Sequence, residues 1–248
     1  KIIPTKFLLT RNLLLEHCER ILEDYKRLEY EMHLLHNEYT GGLKLGASTT
    51  IAQYVLPPLL ASFIGKFPQV SLSLLNGNSR EIEAALQEHR IDLGFVEGVF
   101  RLPNIRYTTF LEDELVAVVR TGSKLAVGEE ITPDELFHLP LVLRERGSGT
   151  LDVFERALQQ HNIKLSSLQV LMYLGSTESI KLFLEHTDCL GIVSVRSITR
   201  ELYSGQLRVV EIKGMPMLRD FSFAQPQGQE SGLAQVFMQF AMHNNHKL

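Results

Sequence analysis

Cysteine is scarce in this 248-residue chain, and its two occurrences, Cys18 and Cys189, fall in a predicted helix seam and a predicted buried strand. Small apolar residues ordinarily sit there, which argues against a disulfide framework. Long apolar runs are lacking too: nothing approaches the roughly 20 residues that span a bilayer. The N-terminus has no apolar segment followed by a cleavage site, so the expected compartment is the cytoplasm. Nor is there an excess of basic charge. Twenty-five Lys and Arg against 29 Asp and Glu leave a net charge of −4 without long runs of one sign. The basic footprint of nucleic-acid binding is therefore missing, and the chain as it stands is expected to bind DNA poorly. Catalytic signatures are absent in turn. There is no Gly-Xaa-Ser-Xaa-Gly or His-Glu-Xaa-Xaa-His, and the nine histidines are scattered without a paired acid or thiol. His33 with His36, and His243 with His246, have metal-like spacing, but a solvated surface is the better reading of both. No enzyme, metal or cofactor is expected. The first residue is Lys1 and not Met, from which we expect residues missing upstream.

What is present is an ordinary globular balance, 44% hydrophobic and 22% charged, with length enough for one or two domains. The most regular pattern lies near the N-terminus. Leu14, Cys18, Ile21, Tyr25, Leu28, Met32, Leu35 and Tyr39 alternate spacings of four and three, with charged residues between them. This is an a/d heptad, a narrow stripe that seeks a partner helix. One amphipathic helix lying on its own domain is the alternative, but that usually has a wider apolar face. Such a helix extends on the order of 40 Å, too long for the side of one small domain. Gly41-Gly42 is expected to end it and act as a hinge.

Beyond the hinge the chain repeats itself. Leu190-Gly191 stands 97 residues after Leu93-Gly94, and Ser176-Thr177-Glu178 stands 97 after Ser79-Arg80-Glu81. Each copy reads as a βαβαβ unit, with strands expected at 43–47, 70–75 and 92–96, then at 140–143, 168–174 and 189–193. A strand at 115–119 is expected to cross between the copies, 131–139 to form a short helix capped by Thr132, and 207–212 and 221–224 to be strands. Leu233, Val236, Phe237 and Phe240 give a closing helix, and 243–248 a frayed tail. The fold class is therefore α/β, with two Rossmann-like lobes.

Parallel strands joined by helices bind ligands where turns expose N–H groups at the strands' carboxyl ends. In the first copy that turn carries Ser48, Thr49 and Thr50, which either receive an anion or merely cap the helix. The equivalent turn in the second copy is Arg144-Glu145-Arg146-Gly147-Ser148-Gly149-Thr150. Its glycines let backbone approach a ligand, and Arg144 or Arg146 offers a planar fork to an anion; a tight turn with solvated arginines is the alternative. No Gly-Lys-Ser/Thr follows, so it is not a phosphate-binding P-loop. The second turns are Asn76-Gly77-Asn78-Ser79 and Gly175-Ser176-Thr177-Glu178, again binding groups or simple caps. Phe95, Val96 and Glu97 end the third strand, with Glu97 directed toward the cleft to meet a ligand amine or a crossover contact.

Taken with the heptad helix, Gly41 to Gly46, Leu56-Pro57-Pro58-Leu59-Leu60 through Phe67-Pro68, Leu86 to Phe95 and Cys189 to Val193, the chain resembles the LysR-type transcriptional regulators over nearly its whole length. Arg144 with Gly147-Ser148-Gly149-Thr150 is most similar to the sulfur-assimilation and carbon-fixation branches. The resemblance implies residues 1–12 as the remnant of a DNA-binding wing, 13–40 as a dimerising linker helix, and 43–248 as an effector-binding domain of periplasmic-binding-protein type. Lobe I is expected at about 43–117 and 222–246, and lobe II at about 122–215. It also implies effector contacts on Ser48, Thr49, Thr50, the Asn76 to Asn78 turn, Phe95 to Glu97 and Arg144 to Thr150. The expected partners are a small anionic metabolite, a second copy of the chain in a dimer or tetramer, and DNA through a helix-turn-helix not fully present here. No membrane is expected. A stand-alone solute-binding protein is the rival reading.

Overall fold

The computed structural model describes residues 14, 15, 17, 18, 21, 25, 39–125, 128–228 and 232–244. Residues 14, 15, 17, 18, 21 and 25 are helical; Leu28, Met32, Leu35 and the expected wing remnant lie outside the described residues. Gly41 and Gly42 do not form a free hinge. They open β1 (Gly41–Ser48), paired with Val70 and Ser71 of β2 (Val70–Gly77). Tyr39, read as a heptad position, instead packs its ring edge-on at 5.6 Å against Phe67 in the first lobe.

Between these strands run α1 (Thr49–Tyr54) and α2 (Leu56–Lys66); α3 (Ser79–Gln87) and β3 (Leu93–Glu97) complete the first unit. The second unit is β6 (Pro140–Arg144), α4 (Gly149–Gln160), β7 (Gln169–Leu174), α5 (Thr177–His186) and β8 (Leu190–Ser194). Linking and closing the two are β4 (Ile105–Arg120), β5 (Glu130–Ile131), α6 (Thr199–Tyr203), β9 (Leu207–Ile212), β10 (Leu218–Pro226) and α7 (Gly232–Asn244). The segment expected as a short helix is a 3-10 turn, Pro133–His138, begun by Thr132, whose N–H and hydroxyl both donate to the Glu135 carboxylate at 2.7 and 2.8 Å.

The strand order β2-β1-β3-β10-β4-β8-β6-β7 reads nearly the same from either end. In each unit the first strand lies between the other two in parallel register, and an antiparallel strand follows: β10 beside β3, β4 beside β8. The repeated glycine has a packing cause. A Cβ on Gly94 would press on Ile82 of α3 at 3.3 Å, and one on Gly191 would strike Leu184 and Ile180 of α5 at 2.9 and 3.0 Å. Both let the unit's second helix lie close on its third strand.

Strands β3 and β8 are buried along their whole length, as parallel strands covered on both faces should be. In lobe I an aromatic core of Phe63, Phe67, Phe95, Phe110, Phe223, Phe237 and Phe240 fills one face, and Ile82, Ala85, Leu86 and Val96 the other. α7 returns to this lobe, with Phe237 stacked 4.8 Å from Phe63. Lobe II has its own pair of cores, around Phe154 and Leu158 and around Ile180 and Leu184.

The expected strand at 115–119 falls in the last third of a strand more than three times as long. β4 runs 16 residues, pairing with β10 in lobe I and with β8 and β9 in lobe II. Two antiparallel strands, β4 and β10, therefore carry the chain from one lobe to the other.

Candidate functional site

The carboxyl ends of the parallel strands of both lobes face one another, and their turns meet. Between them lies a cavity of about 310 Å³ lined by Thr49, Gln53, Asn76, Gly77, Asn78 and Glu81 from lobe I and Glu145, Gly175 and Ser176 from lobe II. Four of the five turn segments singled out in the sequence contribute to it. The fifth, Phe95 to Glu97, lies deeper.

Arg144 ends β6 at the seam, its side chain 1% exposed. Its Nη2 donates to Thr49 Oγ1 and to the Gly175 carbonyl, each at 3.3 Å, so that one guanidinium ties both lobes. Its Nε and Nη2 donate to the two oxygens of Glu145 at 2.8 and 3.0 Å. The fork expected to await an anion therefore already holds one, while Nη1 is buried without a hydrogen-bond partner among the described residues. Arg146, the other candidate, is exposed and is not among the residues lining the cavity.

Ser48 precedes α1, but its side chain makes no cap hydrogen bond, and its Oγ is buried without a partner among the described residues. The capping alternative thus falls for Ser48. Thr49 Oγ1 donates to the Gly77 carbonyl at 3.2 Å, and Thr50 Oγ1 to Glu97 at 3.3 Å. Capping does hold elsewhere. Asn78 and Glu81 form a reciprocal capping box on α3, Ser148 accepts from the Thr150 N–H, and Ser176 accepts from the Ser179 N–H at 3.1 Å. Thr177, the residue after that cap, is buried at the start of α5.

The third-strand residues divide. Phe95 is enclosed by the rings of Phe110, Phe223 and Phe237, and Val96 belongs to the core under α3, so neither reaches the cavity. Glu97 does not meet a free cleft either; it is a crossover contact. Thr50 and Thr150 donate to its Oε1, and Arg219 of β10 lies 3.1 Å from the same atom. Arg219 also donates to Thr150 at 3.0 Å and to Asp113 of β4 at 2.7 Å. This fully buried cluster sits where both crossing strands pass between the lobes. Nothing in the local sequence marks Arg219 or Asp113, because they lie 106 residues apart and their other partners in the cluster are also far along the chain.

The glycines of the second-copy turn serve lobe contact more than ligand approach. The Arg80 N–H donates to the Gly147 carbonyl at 3.3 Å, and a Cβ on Gly149 would run into the Glu97 carbonyl. Tyr54 of α1 also reaches across the lobes, donating to Glu178 of α5. Burial and then that bond raise the Tyr54 phenol well above its ordinary value. Burial alone would raise Glu178 as well, but Lys181 at 2.7 Å and Tyr54 hold it below the usual carboxylate value.

Among the described residues no cluster of His, Cys, Asp and Glu is placed to hold a metal ion, and no helix is long and apolar enough to cross a membrane. What the arrangement offers is recognition: hydroxyls, amides and one buried guanidinium converging from two lobes.

Against known proteins, the LysR substrate binding domain matches residues 36–245. The chain belongs to the LysR family. The architecture is accordingly the two-lobed, periplasmic-binding-protein-like fold of LysR effector-binding domains. The chain is 35% identical over 182 residues, 73% of its length, to the uncharacterized HTH-type transcriptional regulator YeiE of Escherichia coli (strain K12), and spans 61% of that protein. It is 28% identical to the RuBisCO operon transcriptional regulator of Acidithiobacillus ferrooxidans over 90% of this chain and 71% of the other. In structure it is similar to the CcmR regulatory domain of Synechocystis PCC6803 in complex with 2-PG, with a TM-score of 0.74 and 28% identity over 82% of this chain and 97% of that one. These LysR relatives are regulators, and the comparisons give no support to a stand-alone solute-binding protein.

Proposed function

We propose that this chain is the effector-sensing and self-associating portion of a LysR-type transcriptional regulator. A small anionic metabolite binds between the lobes and shifts their arrangement, and the complete protein passes that shift to DNA through a helix-turn-helix upstream of these residues. It acts in the cytoplasm, on DNA, as a dimer or tetramer, and performs no chemistry on its ligand. A ligand of this kind works by binding two lobe arrangements with different affinity.

One observation carries the reading. Arg144 from lobe II and Ser48 from lobe I end their strands at the same seam, both 1% exposed, each with a polar atom that has no hydrogen-bond partner among the described residues; neither lines the cavity itself, but their chain neighbours Glu145 and Thr49 do. Buried polar groups are normally satisfied, so unsatisfied donors beside a cavity mark a ligand's place. About 310 Å³ lies at the small end of ligand pockets, the size of a metabolite and not of a peptide. The 2-phosphoglycolate of the CcmR complex is a small anion of that kind.

Calorimetry against a panel of phosphate- and carboxylate-bearing metabolites, 2-phosphoglycolate included, tests this. Arg144→Ala is expected to weaken the best binder by tenfold or more, the loss of one charge-assisted hydrogen bond of about 1.5–3 kcal/mol, with an unchanged circular-dichroism spectrum. Unchanged affinity would remove Arg144 from the site, and a panel with no binder would sink the anionic reading.

A further inference from the structure

The cavity has a charge that does not suit its proposed ligand. Its two ionisable lining residues are both acids, Glu81 and Glu145. Glu81 is committed to the α3 cap. Glu145 is committed to Arg144, and it occupies the very face of the guanidinium that a carboxylate or phosphate would take.

Resting on the anion-binding reading above, we infer that Glu145 is an internal anion which fills the Arg144 fork and which an entering anionic ligand displaces. The partners are unequal in the way a displacement requires. Arg144 is 1% exposed and Glu145 is 27% exposed, so the carboxylate can turn out to water while the guanidinium cannot. Arg144 does not depend on Glu145 for its place, because Thr49 and the Gly175 carbonyl hold Nη2 from both lobes. The backbone around Glu145 is fixed as well: its N–H donates to the Leu174 carbonyl and its carbonyl accepts from Ser148. Only a side-chain rotation is needed. A guanidinium buried without any counter-charge is costly, and Glu145 supplies that counter-charge from within the chain. An incoming anion inherits that pairing and also finds Nη1 and Ser48 Oγ, which Glu145 leaves unused.

The measured affinity for an anion is then a difference, the ligand's hold on Arg144 less that of Glu145. The test titrates inorganic sulfate and phosphate by calorimetry into wild type, Glu145→Gln, Glu81→Gln and the double variant Arg144→Ala/Glu145→Gln. Glu145→Gln is expected to bind at least tenfold tighter than wild type, and the double variant to lose that gain. Glu81→Gln removes the cavity's other carboxylate without touching the fork, so its gain should be clearly smaller. Equal gains in the two single variants would reduce the effect to bulk charge and overturn the inference, as would a Glu145→Gln variant that binds no tighter or fails to bind. If Arg144→Ala weakens the metabolite binding described above while Glu145→Gln gains nothing, the anion site stands and only the displacement falls. If neither substitution moves any affinity, the site reading itself fails.

Discussion

Glu83 is buried on α3, 5% exposed, where Tyr107 Oη donates to its carboxylate at 2.6 Å. Burial raises its carboxyl above the ordinary value, and the Tyr107 bond and Arg101 only partly offset this. The native state thus keeps this proton to higher pH than the unfolded chain does. The resulting stabilisation is present below the unfolded carboxyl's value and is lost as pH rises through the native one. Glu83→Gln, which keeps an acceptor for Tyr107, is expected to raise the melting temperature at pH 7 and to leave it unchanged near pH 4. Calorimetric melts with no gain at pH 7 would count against the burial. Legibility at this scale depended on locality. Hydroxyl-rich turns are visible as such, but whether Ser48 caps its helix or points at a ligand is decided by geometry that short sequence does not contain. Glu97 was legible as an acid directed toward the cleft, for a ligand amine or a crossover contact, and of the two its described partners are a crossover contact. Its partner Arg219 left no trace, since the contact is made by chain segments 122 residues apart.

At the level of elements, the residues between Ile105 and Glu114 show the limit of periodicity. Their polar run, Thr108-Thr109 and Glu112-Asp113-Glu114, hides a strand whose hydrogen bonds are satisfied by β10 and whose side chains are only partly covered. The doubled unit was legible because each copy states the same apolar and glycine pattern independently. The N-terminal helix poses the opposite case, a pattern whose described positions are left uncovered by the described residues of the chain. Leu14, Ile21 and Tyr25 are 63%, 66% and 57% exposed, and Cys18 is exposed too, so successive a and d positions stand bare in one copy. A second copy covering them would bury about 1.5–3 kcal/mol of isoleucine surface per chain at Ile21. Ile21→Asp is therefore expected to weaken self-association roughly a hundredfold, both chains being affected. Sedimentation velocity over a concentration series reads this directly. A variant that sediments as wild type would show that the stripe is not the seam.

For the molecule as a whole, the two lobes are near-copies joined by two crossing strands, and their relation is set by how closely they approach at one point. Gly149 opens α4 in lobe II, and Gly98 follows β3 in lobe I at φ +105°. A Cβ on Gly98 would lie 2.9 Å from Gly149 Cα, and one on Gly149 would meet the carbonyl of Glu97 and, at 2.5 Å, its carbon. These are backbone atoms on both sides, so no side chain can turn aside to make room. The contact also stands directly over the Glu97, Thr150 and Arg219 cluster, so spreading the lobes there would stretch buried charge-assisted bonds. Gly149→Ala has two ways to relieve the overlap. If the lobes stay together, overpacking should cost about 1–3 kcal/mol. If they part, the crossing strands β4 and β10 flex, the cavity between Thr49 of lobe I and Ser176 of lobe II widens, and the radius of gyration grows. Thermal denaturation combined with small-angle scattering separates the two, and anion titration of the same variant asks what the opening does to affinity: a ligand gripped from both sides should bind more weakly once the sides are held apart. A variant with wild-type melting, scattering and affinity would mean that the lobes do not rest on this contact in solution. Sensing would then have to be sought in some other relation of the two halves.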